Sequence, residues 1–285
     1  MPTNSIAAML SGCSIELNPS NSKALDAAPE RLQVGMEVFL TWIPGANPMH
    51  MVEAAAKLRR ADLLPVPHVC ARHLESSTQL EQLAARLAGD AGVDRILVIG
   101  GDGAKPAGPY DSSLAVMQTG LFQKTGITRM AVAGFPEGNP NIPEPALHDA
   151  LRAKVDFAKS AGLKLSIVTQ FCFTARPVVG WLQRIRRGGI DNPVRVGLAG
   201  PASLVTLARY AVRCGIGNSF HVLTEHPSFA KLLTERGPEL IIRGIAAGAG
   251  PGKNGTLPLG IAGLHFFVFG GFQQTVNWIN AERLR

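Results

Sequence analysis

Short apolar runs recur along the chain, and most are followed by a stretch with helical periodicity. That alternation is the strongest constraint on the fold, because a strand, a crossover helix and a further strand build parallel sheets. Eight runs read as strands: Ser14 to Leu17, Glu37 to Ile43, Pro65 to Cys70, Arg95 to Ile99, Arg129 to Phe135, Leu163 to Phe171, Val194 to Ala199 and Leu264 to Phe269. Helices are expected from Met49 to Arg60, Thr78 to Ala88, Ser113 to Lys124, Ala146 to Ala161, Val178 to Arg187 and Ser203 to Val212. In the second of these, Leu80, Leu83 and Leu87 fall on one face.

The rhythm breaks between Gly215 and Leu259, where helical patches at Phe229 to Thr234 and Pro238 to Ala247 precede a Gly/Pro-rich link. We read this stretch as a helical insertion before the last strand. Eight strands with helical crossovers in 285 residues favour an α/β fold, a (β/α)8 TIM barrel in one domain over residues 1–285, since such barrels typically take about 250 residues. The segment PEGNPNIPEP, after the fifth strand, carries four prolines and is expected to be a loop that lines a site.

Composition narrows the classes. Hydrophobic residues make up 46% and charged residues 17%, which excludes a disordered chain. No apolar run approaches the roughly 18 residues of a membrane span, and the N-terminus lacks the pattern of a secretory signal, so a soluble cytoplasmic protein is expected. Cys13, Cys70, Cys172 and Cys214 lie too far apart for a zinc-ligand pattern and read as small core residues. The net charge of +7 is spread along the chain apart from a knot at Arg184, Arg186 and Arg187. With only 6% aromatics, this suits anionic small molecules better than nucleic acid. No GxGxxG after a first strand, no P-loop and no GxSxG is present, so dinucleotide folds, NTPases and α/β-hydrolases lose support.

The chemistry should lie where strands end. RILVIGGDGAKP, residues 95 to 106, is an apolar strand that stops in Gly100, Gly101 and Asp102. The glycines permit a sharp turn and a close approach to a ligand, and Asp102 falls at the C-terminal edge where α/β folds keep their active sites. The same residues also suit a strand-ending turn with the aspartate capping a helix. Glu16, Thr41, His68, Glu137, Gln170 and His265 likewise sit within or just after strands. In a barrel such groups are expected to converge on one mouth.

These blocks also carry a resemblance. SIEL with Glu16, PHVC at Pro67 to Cys70, GGD at Gly100 to Asp102, AGFPEGNP at Ala133 to Pro140, VTQFCF at Val168 to Phe173 and LHFF at Leu264 to Phe267 together resemble the methylenetetrahydrofolate reductase family in order and rough spacing. The resemblance spans about residues 12 to 275. It implies a TIM barrel that uses NADH or NADPH, with FAD at the barrel mouth, to reduce 5,10-methylenetetrahydrofolate to 5-methyltetrahydrofolate. It implies that Glu16 is the acid that helps open the substrate's five-membered ring to a 5-iminium cation, with a raised pKa, and that Asp102 stabilises this cation. Gln170 would pair with the pterin edge, with Phe171 packed beneath the ring. Thr41, His68, Gly100, Gly101, Phe135 and Lys154 fall at cofactor-lining positions. The partner implied is a tetrahydrofolate substrate, with no nucleic acid and no membrane; a homo-oligomer is left open.

The departures fall mostly on the flavin side. Gly100 stands where the family has an arginine that reaches the flavin phosphate, and the helix after the proline-rich loop lacks the family's acidic residue and asparagine around Leu147 and Ala150, though Lys154 remains. TWIPGA and LHFFVFGG replace the family's TYGA and HFYTLNR. FAD is therefore expected to bind weakly or not at all. Two other readings stay open: a folate-binding relative without catalysis, and a pterin-dependent methyltransferase on a similar barrel.

Overall fold

The computed structural model describes residues 4–103, 105–213, 237–250 and 257–284. The helical patch expected at Phe229 to Thr234 and Cys214 lie outside the described residues. The strands are β1 (Ser14–Leu17), β2 (Glu37–Leu40), β3 (Leu64–Cys70), β4 (Arg95–Ile99), β5 (Arg129–Gly134), β6 (Lys164–Phe171), β7 (Val194–Ala199) and β8 (Ile261–Phe267). They follow one another in chain order around a closed barrel, and every pairing with a described register is parallel. This is a (β/α)8 barrel. The helices are α1 (Asn4–Ser11), α2 (Ser22–Arg31), α3 (Pro48–Arg60), α4 (Ser77–Gly89), α5 (Ser113–Gln118), α6 (Leu121–Lys124), α7 (Glu144–Ser160), α8 (Ala175–Arg187), α9 (Leu204–Arg213), α10 (Glu239–Ala249) and α11 (Phe272–Arg283).

Residue contacts divide the chain into two compact units. One comprises Glu16–Ala133 and Ala153–Ser166. In it β2, β3, β4 and β5 pair in succession. Strand β3, LPVPHVC, carries two prolines, which lack the N–H a ladder needs. It survives because Leu64 donates to Met36 of the β2 side, and the ladder to β4 begins at His68 opposite Leu97, beyond Pro67. Its helix α4 is capped by the Ser76 side chain on Gln79 N–H and buries Leu80, Leu83 and Leu87, the face the periodicity predicts. At the strand starts, Arg95 bonds Glu37 at 2.6 Å and Asp94 at 2.8 Å, and Arg129 reaches Asp94 at 2.8 Å.

The other unit comprises Met1–Ile15, Gly134–Arg152 and Ile167–Arg285. It holds the β6, β7 and β8 ladder, with a register shift between Val168 and Phe171. Helix α8 buries Val178, Trp181, Leu182 and Ile185.

Several boundaries differ from those expected. The single helix expected from Ser113 to Lys124 is two, because Gly120 turns left-handed at φ +67° and restarts the chain as α6. The last two residues of PEGNPNIPEP belong to α7, where Pro145 occupies a first turn that needs no amide donor. Strand β2 stops at Leu40, leaving Thr41 to Ile43 beyond it, and β8 begins three residues earlier than Leu264. Helices α1, α2 and α11 carry no expectation above. Of the proposed insertion, residues 237–250 and 257–259 are described, and α10 lies in the first of these stretches.

Candidate active site

In the unit around β2 to β5, the strand ends gather two carboxylates, two imidazoles and a thiol. Glu16 of β1 is half-buried and His68 of β3 is buried, with Glu16 Oε2 3.5 Å from His68 Nε2. Phe39 of β2 presents a T-shaped contact to the His68 ring at 6.1 Å. Two residues on, and therefore on the same face of β3, Cys70 is buried. Burial pushes its thiol up to about 12, and the nearby negative charges of Asp102 and Glu16 push in the same direction. Thr41, just past β2, gives its backbone N–H to Leu17 O at 3.0 Å, and its hydroxyl lies 3.5 Å from the same oxygen.

Asp102 is exposed in the turn that follows β4. That turn is held by the segment after β3. Arg72 donates its backbone N–H to Gly100 O at 2.8 Å and accepts from Ala107 N–H at 2.9 Å. Its guanidinium reaches Gly103 O at 3.1 Å and Asp111 O at 3.0 Å. Gly101, at φ +87°, packs its α-carbon against Cys70 and His73. Burial pulls the His73 imidazole below its ordinary pKa, opposed by the carboxylate and the backbone carbonyl of Asp102. His73 also meets the Trp42 ring edge-on at 5.6 Å. Neither Arg72 nor His73 stands out in the sequence, since only their place after β3 gives them a role. Lys154 on α7 is half-buried, and burial lowers its pKa.

In the other unit, Gln170 near the end of β6 has both amide atoms buried, and neither Oε1 nor Nε2 has a hydrogen-bond partner among the described residues. An unsatisfied buried polar group costs about 1–3 kcal/mol, so an amide with both ends unmatched is suited to a ligand that supplies an acceptor and a donor. Its neighbour Phe171 is fully buried, with its ring 5.5 Å from Phe173, 5.5 Å from Phe267 and 4.9 Å from Phe269. Phe269 is left-handed at φ +46°, a strained conformation for an aromatic residue, and stacks on Tyr210 at 4.3 Å. This aromatic group carries no sequence expectation beyond Phe171.

Phe135 is half-buried just after β5, and Glu137, in the turn that follows, accepts a hydrogen bond from the buried Cys172 thiol, whose pKa is raised well above normal by burial and then by that carboxylate. His265, expected at the mouth, instead bonds Ser14 at 2.9 Å, with both residues fully buried. This is a core contact. The described cysteines, Cys13, Cys70 and Cys172, are free and buried, as expected of small core residues.

Fold and strand-end chemistry define a (β/α)8 barrel with polar groups set at strand C-termini. No family model matches the chain. Among solved structures, it is similar to the crystal structure of dihydropteroate synthase from Thermus thermophilus, at 13% identity and a TM-score of 0.49, over 94% of this chain and 93% of that one. No helix among the described residues is long and apolar enough to cross a membrane.

Proposed function

We propose that the protein is a folate-linked oxidoreductase that interconverts 5,10-methylenetetrahydrofolate and 5-methyltetrahydrofolate by hydride transfer. The observation that carries this reading is the buried Gln170 amide, neither of whose polar atoms has a partner among the described residues, because the pterin edge offers a donor beside an acceptor and would satisfy both its atoms.

In the reductive direction Glu16 gives a proton to N10 as the bond from N10 to the methylene carbon breaks, leaving a cationic N5-methylene iminium. A carboxyl shielded as Glu16 is can serve as a general acid. The Asp102 carboxylate stabilises the developing positive charge. A bound NADH or NADPH would supply hydride to the methylene carbon, giving the N5-methyl group and the oxidised nicotinamide. The reverse direction uses the same groups, with Glu16 as base.

Three of the residues assigned to flavin are poorly suited to hold it. His68 is buried against Glu16, Gly100 offers no cation, and the Thr41 hydroxyl is turned to Leu17 O. These placements support a reading in which FAD is weakly bound or absent and the nicotinamide passes hydride straight to the iminium carbon.

Incubating the purified protein with 5,10-methylenetetrahydrofolate and NADH or NADPH, and separately with 5-methyltetrahydrofolate and a thiol, each beside a Glu16→Gln control, tests the reading. Turnover by the parent and its loss in the control supports it. Equal folate binding by both proteins with turnover by neither would leave a folate-binding protein instead, and methyl transfer to an added thiol without nicotinamide would make it a methyltransferase.

A further inference from the structure

His68 has a place that its sequence position does not suggest. Its Nε2 lies 3.5 Å from Glu16 Oε2, and the two side chains are only 8% and 19% exposed. Strand β2 lies between their strands in the barrel order and puts Phe39 edge-on to the imidazole. We propose that His68 is a positioning residue for Glu16, fixing its carboxyl and sharing one proton with it so that the pair, and not the glutamate alone, is the acid. The proposal rests on the oxidoreductase reading above.

The physical reason is the shielding. An imidazole and a carboxyl held together away from water favour one shared proton, since losing it leaves an uncompensated anion and adding a second leaves an uncompensated cation. Such a pair titrates as a unit. The other titratable groups around it do not replace this partnership. Cys70 beside it on β3 stays a neutral thiol. Asp102 also acts on Cys70 and adds negative charge, and His73 is packed on the Asp102 turn. The distance is long for a hydrogen bond, as catalytic contacts commonly are before substrate tightens them.

The test uses the full chain and two independent readouts. By NMR of isotope-labelled histidine, with His68→Gln assigning the resonance, Glu16→Gln should move the His68 titration down by about one pH unit or more, because an opposite charge has been removed. An unmoved titration overturns the pairing. In steady-state kinetics, His68→Gln should lower kcat roughly 10- to 100-fold, leave the folate KM within about twofold and displace the alkaline limb of the kcat profile. A variant with parent kcat and pH profile overturns the proposal while leaving the oxidoreductase reading intact. Coupled titration in a protein that turns over no folate supports the pairing and removes the oxidoreductase reading. His68→Leu should displace the alkaline limb as well; a lower melting temperature with that limb unmoved shows a merely structural histidine and overturns the proposal.

Discussion

The α-carbon of Gly101 faces the imidazole of His73, so closely that a β-carbon built on it would lie 3.2 Å from Nε2 and 3.0 Å from Cys70 Cβ. With φ at +87°, any side chain there is strained by about 1–2 kcal/mol before these contacts are counted. Gly101→Ala should therefore lower the melting temperature and displace the neighbouring Asp102, reducing kcat more than it changes the folate KM. Parent-like stability and kcat would show that the turn yields without moving Asp102.

Asp102→Asn should reduce turnover by about 100-fold or more without changing the melting temperature, because it removes a charge from an exposed side chain without changing its volume. A readout independent of activity is the His73 titration. The Asp102 carboxylate favours the charged imidazole, so in Asp102→Asn the His73 pKa should fall further. Full activity would remove Asp102 from the mechanism.

Gln170→Met keeps roughly the same volume and deletes two buried polar atoms that have no hydrogen-bond partner among the described residues. The free protein should melt at a higher temperature, since each such atom costs about 1–3 kcal/mol to bury, while the folate KM rises by more than kcat falls. Melting curves and steady-state kinetics on one preparation decide it. A lower melting temperature with an unchanged KM would make Gln170 a core amide.

Much of the barrel was legible because burial leaves short, largely apolar runs, unbroken in Ile96 to Ile99 of β4 and interrupted by one charge in β1 and β7, and these three strands have the bounds expected of them. Boundaries failed where one backbone conformation decided them, as at the left-handed Gly120, or where the N-terminal half of a strand is broken by glycine, as in Ile261-Ala262-Gly263 of β8. The places of Thr41, Asp102 and Gln170 at or just past strand ends were legible, but the partnerships of the candidate residues were not. Nothing in the spacing of Glu16 and His68 says that two strands separated by a third bring their side chains together, nor that Ser14 takes His265 into the core. His73 and Arg72 follow a strand that reads as finished at Cys70, and the turn they hold lies about 30 residues further along the chain.

Stability should fall in two stages as the solution is acidified. His73 has a folded-state pKa lowered by burial, so below the ordinary histidine range, about 6.5, the unfolded chain binds a proton that the folded chain resists. At Asp94 burial works against ionisation, but hydrogen bonding and charge from Arg95, then the charges of Arg129 and Arg59, hold the carboxyl below its usual range. Its contribution is present above the ordinary aspartate value, about 3.9, and is lost as pH falls through the lower folded value. Denaturant melts from about pH 8 to about pH 3 should show both stages, with the second missing in Asp94→Asn. A variant whose stability follows the parent at every pH would show that the Asp94 network contributes nothing.

The most direct test follows one hydrogen atom. NADH or NADPH carrying deuterium at the transferable C4 position is mixed anaerobically with 5,10-methylenetetrahydrofolate and the protein in ordinary water, without added flavin, and the product is analysed by mass spectrometry. Direct transfer to the iminium carbon predicts 5-methyltetrahydrofolate with one deuterium in its methyl group on essentially every molecule. A flavin relay would hold the hydride as an exchangeable N–H and dilute the label with solvent protons, so an unlabelled methyl group, or no methyl product, would contradict the account.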